Sequence, residues 1–246
     1  MALGEEMQRS GDWLFTHRSY MPLGLVGILI VGMLQFEYPQ QRHDLQEMWC
    51  HVCLAVSLAG LAVRGYVVGH VCKGTSGRNT SRQVATELNT TGLYSIVRHP
   101  LYLGNFLIWL GIGLFSGIWW LVLIEVLAFW VYYERIMLAE EAFLIQKFGA
   151  RYTQWADRTP AFIPQWRQWR RPDLPFSFKN VLRREYTGLF GILSAFTLLE
   201  LGEHWVVESQ VRLDPEWQAV GLLGLAMFLA LRFLKRHTAW LEVQGR

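Results

Sequence analysis

Apolar residues in this chain gather into blocks long enough to leave water altogether, separated by short polar stretches. Tyr20 to Leu34 is a glycine-rich apolar run ending at Gln35, and Met48 to Val71 is a second block beyond the charged connection Gln40 to Glu47. Leu101 to Phe115 and Ile118 to Tyr133 are parted only by Ser116-Gly117; Tyr186 to Val207 and Trp217 to Leu234 follow later. A bilayer core about 30 Å thick takes roughly 20 residues of helix, fewer when flanking side chains snorkel. The pattern therefore predicts an all-α polytopic membrane protein of about six transmembrane helices. A two-residue break forces the middle pair into a tight antiparallel hairpin.

The polar remainder is uneven. Residues 1 to about 19 are polar and carry Arg9 and Arg18, and Lys73 to Thr91 reads as an exposed loop rich in Gly, Ser, Thr and Asn with three basic residues. From Glu134 to Phe148 the apolar positions Met137, Leu138, Leu144, Ile145 and Phe148 recur at helical spacing, predicting an interfacial helix that stops at Gly149. Pro160, Pro164, Pro172 and Pro175, among many Trp and Arg, predict an irregular basic segment on the membrane surface. Three regions result: 1–91 with two spans and a loop, 92–180 as a core, and 181–246 with two further spans.

Composition agrees with the pattern. Of 246 residues 52% are hydrophobic, and the mean hydropathy is +0.19, too apolar for an ordinary soluble domain. The net charge of +3 is small. Its distribution says more: Lys and Arg concentrate in 73–100, 134–185 and the C-terminal tail, which places both ends and these loops in the cytoplasm and points to headgroup contact rather than nucleic acid. Twelve Trp and nine Tyr suit an interfacial belt. Cys50, Cys53 and Cys72 are an odd set without a second pair at zinc-site spacing, so neither a disulfide framework nor a metal is expected from them. No small-residue cleavage site follows the first run, and that span is expected to be retained.

The chemistry concentrates in Gly92-Leu93-Tyr94-Ser95-Ile96-Val97-Arg98-His99-Pro100-Leu101-Tyr102-Leu103-Gly104. Pro100 suits the first position of a helix, so Arg98 and His99 are expected where free N–H groups and the positive helix end gather, a place that attracts anions. Further on stand Glu140-Glu141, Phe148-Gly149, Tyr152 and Arg158-Thr159-Pro160. In this series the chain resembles the isoprenylcysteine carboxyl methyltransferases and their phospholipid methyltransferase relatives. They share a G-x-Y-x-x-x-R-H-P-x-Y-x-G element, an E-E pair before F-G, then a Y and an R-x-P. The resemblance covers roughly Gly92 to Pro164. It implies a membrane enzyme using S-adenosylmethionine on a lipid or lipidated acceptor taken from the bilayer; the basic loops put its cofactor site on the cytoplasmic side, and the absence of retention or lipidation signals favours a bacterial inner membrane. By resemblance, Arg98, His99, Tyr102, Gly104, Glu140 and Glu141 bind the cofactor, while Arg158 and Tyr152 face the acceptor and Arg158 is the catalytic candidate. No metal is assigned.

Other readings stay open at this level. The acceptor is an isoprenylcysteine-like carboxylate, an anionic headgroup or a phosphatidylethanolamine-type amine. Membrane sterol reductases share an R-H-x-x-Y-x-G element and use a nicotinamide cofactor, and a scaffold or transporter would use Arg64, Glu125 and Glu200 as a polar path. Arg64 lies within an apolar block, where it must snorkel, pair with an acid, for which Glu125 is the candidate, or face a polar cavity. Glu200, Glu203 and His204 share a helical face at a spacing that metal ligands also use. Near the outer end of their span, they are expected to be hydrated.

Overall fold

The computed structural model describes residues 3–17, 20, 22–72, 74–75 and 83–246. Arg18, and Lys73, Arg78 and Arg82 of the expected exposed loop, lie outside the described residues. Among these the α-helices are α1 (Leu3–His17), α2 (Pro22–Met33), α3 (His43–Gly69), α4 (Pro100–Leu114), α5 (Trp119–Phe148), α6 (Ala150–Ala156), α7 (Phe178–Glu208) and α8 (Pro215–His237). The only β pairing among them is one antiparallel bridge between Gly92 and Arg170.

The all-helical architecture matches the hydrophobic blocks. Helices α3, α7 and α8 are long and apolar enough to cross a membrane, whereas Leu23–Met33 and α4 are apolar but shorter. Leu222, Leu223 and Phe233 of α8 and Ile30 and Val31 of α2 are exposed, a surface that suits lipid rather than water. The hairpin turns at Gly117, whose φ of 63° explains a glycine there. The helix expected from Glu134 is the continuation of the second hairpin arm. At 30 residues, α5 is about 45 Å long and outruns a bilayer core. Gly149 (φ 55°, ψ −131°) ends it and starts α6.

One element is added and one expectation is corrected. The polar N-terminus forms α1, which lies along α5: Gly11 has no room for a Cβ, because the carbonyl oxygen of Arg135 would lie 2.0 Å away. Phe15 inserts into a cluster with Tyr102, Phe129, Tyr133 and Ile136. A few apolar residues on one stripe suffice to bury one face of this polar segment. Arg64 does not meet Glu125. Its guanidinium donates from Nε and Nη2 to Glu185 of α7, both at 2.9 Å, and from Nη1 to Asn105 of α4 at 2.6 Å. Glu125 instead rests on α4 where Gly113 leaves space for its carboxylate.

Helix α3 packs closely against α4. A Cβ on Gly104 would meet Arg64 Cγ at 2.6 Å and the Gly60 carbonyl oxygen at 2.8 Å, and one on Gly111 would meet Ser57 Oγ at 2.3 Å. Small residues thus let two backbones approach where lipid gives no hydrophobic drive for helix association. Ser57 Oγ adds a hydrogen bond to the Ile108 carbonyl at 2.8 Å. The central core joins Phe36, Cys50, Cys53, Phe115, Phe196 and Trp217. Both cysteines are buried there, while His51 points outward to Glu216 at 2.9 Å, so the three donors do not converge.

Candidate functional site

Pro100 opens α4 with His99 as its N-cap, as the sequence pattern predicts. The segment after α6 then folds back across this helix start. Arg98 N donates to the Pro160 carbonyl at 2.8 Å, His99 N to the Ala161 carbonyl at 3.2 Å, and Gln165 N to the Ile96 carbonyl at 2.9 Å. Gly92 N donates to the Arg170 carbonyl at 3.0 Å, and Arg170 N to Ser95 Oγ at 2.9 Å. The proline-rich stretch is therefore a strap fastened to the Arg98-His99 turn. The N–H groups of Arg98 and His99, just before the helix, are thereby taken up by the strap.

The carboxylates come from α5. Neighbours on a helix diverge by about 100°, and Glu140 and Glu141 use that divergence to face opposite nitrogens of one imidazole. His99 Nε2 lies 2.9 Å from Glu141 Oε1, and Nδ1 lies 3.5 Å from Glu140 Oε2. Arg98 Nε is 3.2 Å from the same Glu141 oxygen. Burial by itself would push the His99 imidazole down, but the two facing carboxylates outweigh it and hold its pKa above the ordinary 6.5. The ring stacks at 5.6 Å on Tyr102, which packs at 4.9 Å against Tyr133. Asn105 Nδ2 donates to the Tyr133 hydroxyl at 3.1 Å and links this row to Arg64 and Glu185.

These groups line a cavity of about 550 Å³, within the usual range of small-molecule sites. Arg98, His99, Tyr102, Glu140 and Tyr152 all reach it. Glu141 stands behind His99 and holds the ring and Arg98 in place. Burial pushes the Tyr152 phenol up, with Glu141 adding to the effect, so it is neutral at physiological pH. Residues from all three sequence regions contribute: Arg64 and Val68, then the Arg98 group, then Arg184 and Glu185.

Two expected residues lie elsewhere. Gly104 faces α3 and the stem of Arg64 rather than the cavity. Arg158 is exposed and is not among the lining residues. The Arg-Thr-Pro stretch serves the site through the backbone oxygen of Pro160, which leaves the Arg158 side chain on the outer side of the strap. Sequence reading missed Arg184 and Glu185, which were counted with a basic surface segment; the unpaired charge of Arg64 within an apolar block was the available signal for an acid on another helix.

Glu200, Glu203 and His204 are also corrected. They are buried, not hydrated, because α3 and the α8 start close over them.

Comparison with known proteins gives a consistent picture. Residues 53–151 match the family model described as phospholipid methyltransferase. The chain is 32% identical over 117 residues to a nickel-cobalt-cadmium resistance protein, NccN, of Alcaligenes xylosoxydans xylosoxydans, covering 48% of this chain and 54% of that protein. It is 34% identical over 95 residues to a protein-S-isoprenylcysteine O-methyltransferase of Schizosaccharomyces pombe, covering 36% and 40%. It is 28% identical over 157 residues to the enzyme of the same name in Saccharomyces cerevisiae, covering 60% and 64%. The chain thus spans about half the length of the curated relatives it matches. No solved structure matches it.

Proposed function

We propose that this chain, whose residues 53–151 match the phospholipid methyltransferase family model, is an integral-membrane methyltransferase that uses S-adenosylmethionine and acts on a lipophilic, anionic acceptor of the isoprenylcysteine carboxylate kind. The observation that carries this is the cavity in which Arg98, His99 and Glu140 converge beside aromatic walls. The metal-resistance name of one relative specifies no reaction, and support comes from the family and from the named O-methyltransferases.

The cavity suits the donor's chemistry. Its carboxylate calls for a cation, its ammonium and ribose hydroxyls for a carboxylate, and its adenine for flat apolar surfaces. Arg98 and Arg184 supply guanidinium groups, Glu140 a carboxylate, and Tyr102, Tyr133 and Trp155 the walls. When bound, S-adenosylmethionine supplies an electrophilic methyl group. The protein's own contribution is to hold the reactants in line and exclude water. His99, clamped between Glu140 and Glu141, is biased toward its protonated form and fixes the position of both carboxylates. An acceptor carboxylate is ionised at neutral pH and needs orientation rather than a base. The guanidinium groups placed for that are Arg98 and Arg184, and Arg158 is not retained as the catalytic candidate.

The membrane assignment takes α2, α3, α4, α5, α7 and α8 as six spans, with the cavity toward the cytoplasm of a bacterial inner membrane. The basic loops and exposed apolar helix faces support it. Calorimetric titration of the detergent-purified protein with S-adenosylhomocysteine, beside NADPH, tests the function. Binding of S-adenosylhomocysteine that His99→Ala and Glu141→Ala both weaken at least tenfold, with thermal unfolding still cooperative, is the expected outcome. Binding of NADPH alone, or of neither, overturns it. Methyl transfer to phosphatidylethanolamine but not to a farnesylated cysteine would move the acceptor from carboxylate to amine.

A further inference from the structure

A second cluster of chemistry-bearing side chains sits at the other end of the bundle. Helix α3 runs from His43 toward Arg64 at the cavity, 21 residues or about 30 Å away along the helix. At its start, the end of α7 and the start of α8 close around it. There His43, Glu200, His204 and Asp214 bring one nitrogen or oxygen each within 4.8 Å of one another. None of these residues lines the donor cavity.

The spacing is informative. His204 Nε2 lies 3.7 Å from Glu200 Oε1 and 3.7 Å from Asp214 Oδ2, and His43 Nε2 lies 3.9 Å from the same aspartate oxygen. These separations are too long for hydrogen bonds, which fall at 2.7–3.2 Å. They lie near the edge of a tetrahedron of ligands around an ion with bonds of about 2.0–2.1 Å, which is about 3.4 Å. Burial sharpens the point. The His204 side chain is 0% and Glu200 2% exposed, yet neither His204 Nε2 nor His43 Nε2 has a hydrogen-bond partner. Glu203, also buried, has neither carboxylate oxygen hydrogen-bonded and approaches His43 Nε2 at 3.6 Å. Buried polar atoms are seldom left so.

The remaining contacts orient the ligands. His204 Nδ1 lies 3.4 Å from the Tyr38 hydroxyl and 3.3 Å from Glu208 Oε1, and that hydroxyl lies 3.3 Å from the same carboxylate oxygen. A carboxylate facing Nδ1 favours the tautomer whose lone pair is on Nε2, the arrangement of a carboxylate-backed histidine ligand. Arg212 engages Asp214 Oδ1 at 3.3 Å and leaves Oδ2 to turn inward. The His43 and His204 rings stack at 5.2 Å with their Nε2 atoms directed to the same space.

We propose that His43, Glu200, His204 and Asp214 form a binding site for one divalent transition-metal ion of the zinc class. Two imidazoles with carboxylates suit zinc, cobalt or nickel and disfavour magnesium and calcium, which take oxygen ligands. The ion ties α3, α7 and α8 together, neutralises buried carboxylates and leaves the donor cavity at the opposite end untouched. Its role is a structural clamp, independent of the methyl-transfer reading.

The test uses the full-length protein in detergent, stripped with a chelator and titrated with zinc chloride, with magnesium and calcium chloride as controls. One equivalent of zinc is expected, with a raised unfolding midpoint. His204→Gln and Asp214→Asn should each weaken binding at least 100-fold and abolish the shift, while Glu208→Gln, which removes only the orienting partner, should weaken it 10–100-fold. Asp214 lies in the connection before α8, so its variant tests the site even if a substitution at His204 unfolds the protein. Zinc-edge absorption should show nitrogen and oxygen neighbours including imidazole. Absence of binding up to about 100 μM zinc, equal affinity in Asp214→Asn, equal response to magnesium, or sulfur in the zinc shell overturns the proposal.

Discussion

His99 and Arg64 show what a single charged side chain needs in this protein. Because the folded-state pKa of His99 is held above 6.5, the stability from its carboxylate contacts is fully present below that pH. It is lost as the pH rises through the raised value. Thermal stability of the wild type is therefore expected to fall as the pH rises above 6.5 through the raised value, and His99→Gln should flatten that slope; an unchanged slope would sink the assignment. For Arg64, the guanidinium is 16% and Glu185 5% exposed, and removing one partner of a buried pair typically costs 3–5 kcal/mol. Arg64→Ala and Glu185→Ala are each expected to cost about 3 kcal/mol, the double variant costing little more than either. Lysine at 64 should not restore stability, because a point charge cannot make the two parallel bonds of the fork. Denaturant titration in mild detergent reads all four variants.

At the scale of elements, helix contacts decide where the site residues stand. The α3–α4 approach depends on Gly60, Gly104 and Gly111, and a side chain at Gly104 has no free volume. Gly104→Val is expected to destabilise by about 2 kcal/mol through overpacking, and to weaken cofactor binding because it displaces the Arg64 stem beside the cavity. Gly191→Ala, where nothing lies within 4 Å of the added carbon, should be neutral or slightly stabilising. A midpoint shift of equal size in both would refute the packing argument. Much at this scale was legible beforehand. The hairpin break at Ser116-Gly117, the helix start at Pro100 and the stop at Gly149 are set within a few residues by φ preference and missing donors. The amphipathic α1 was not legible, since its few buried residues acquire a partner only when α5 lies beside it.

For the whole molecule, the C-terminal pair of helices is part of the site rather than an appendage, because α7 brings Arg184 and Glu185 to the cavity. Removing residues 178–246 is expected to abolish S-adenosylhomocysteine binding. Arg184→Ala in the full-length protein should weaken it roughly tenfold, as loss of one charge-assisted contact would. Wild-type affinity in either case would separate α7 from the donor site. Reporter fusions at residues 36, 117 and 210 should all report the side of the membrane opposite the cavity, as six spans with basic loops inside require.

The amino-acid sequence by itself determined the helical blocks, the hairpin, the charged turn before Pro100 and the ordered pattern of site residues, because each is a signal confined to a helical turn or to a run that crosses lipid. Only the tertiary structure decided the pairings. Arg64 meets Glu185, 121 residues away, because α3 and α7 pack; the strap takes the N–H groups of Arg98 and His99 and turns Arg158 outward; His43 and Asp214 join Glu200 and His204 where three helix ends close. Partners on separate helices depend on how those helices cross, and no spacing along a chain records that.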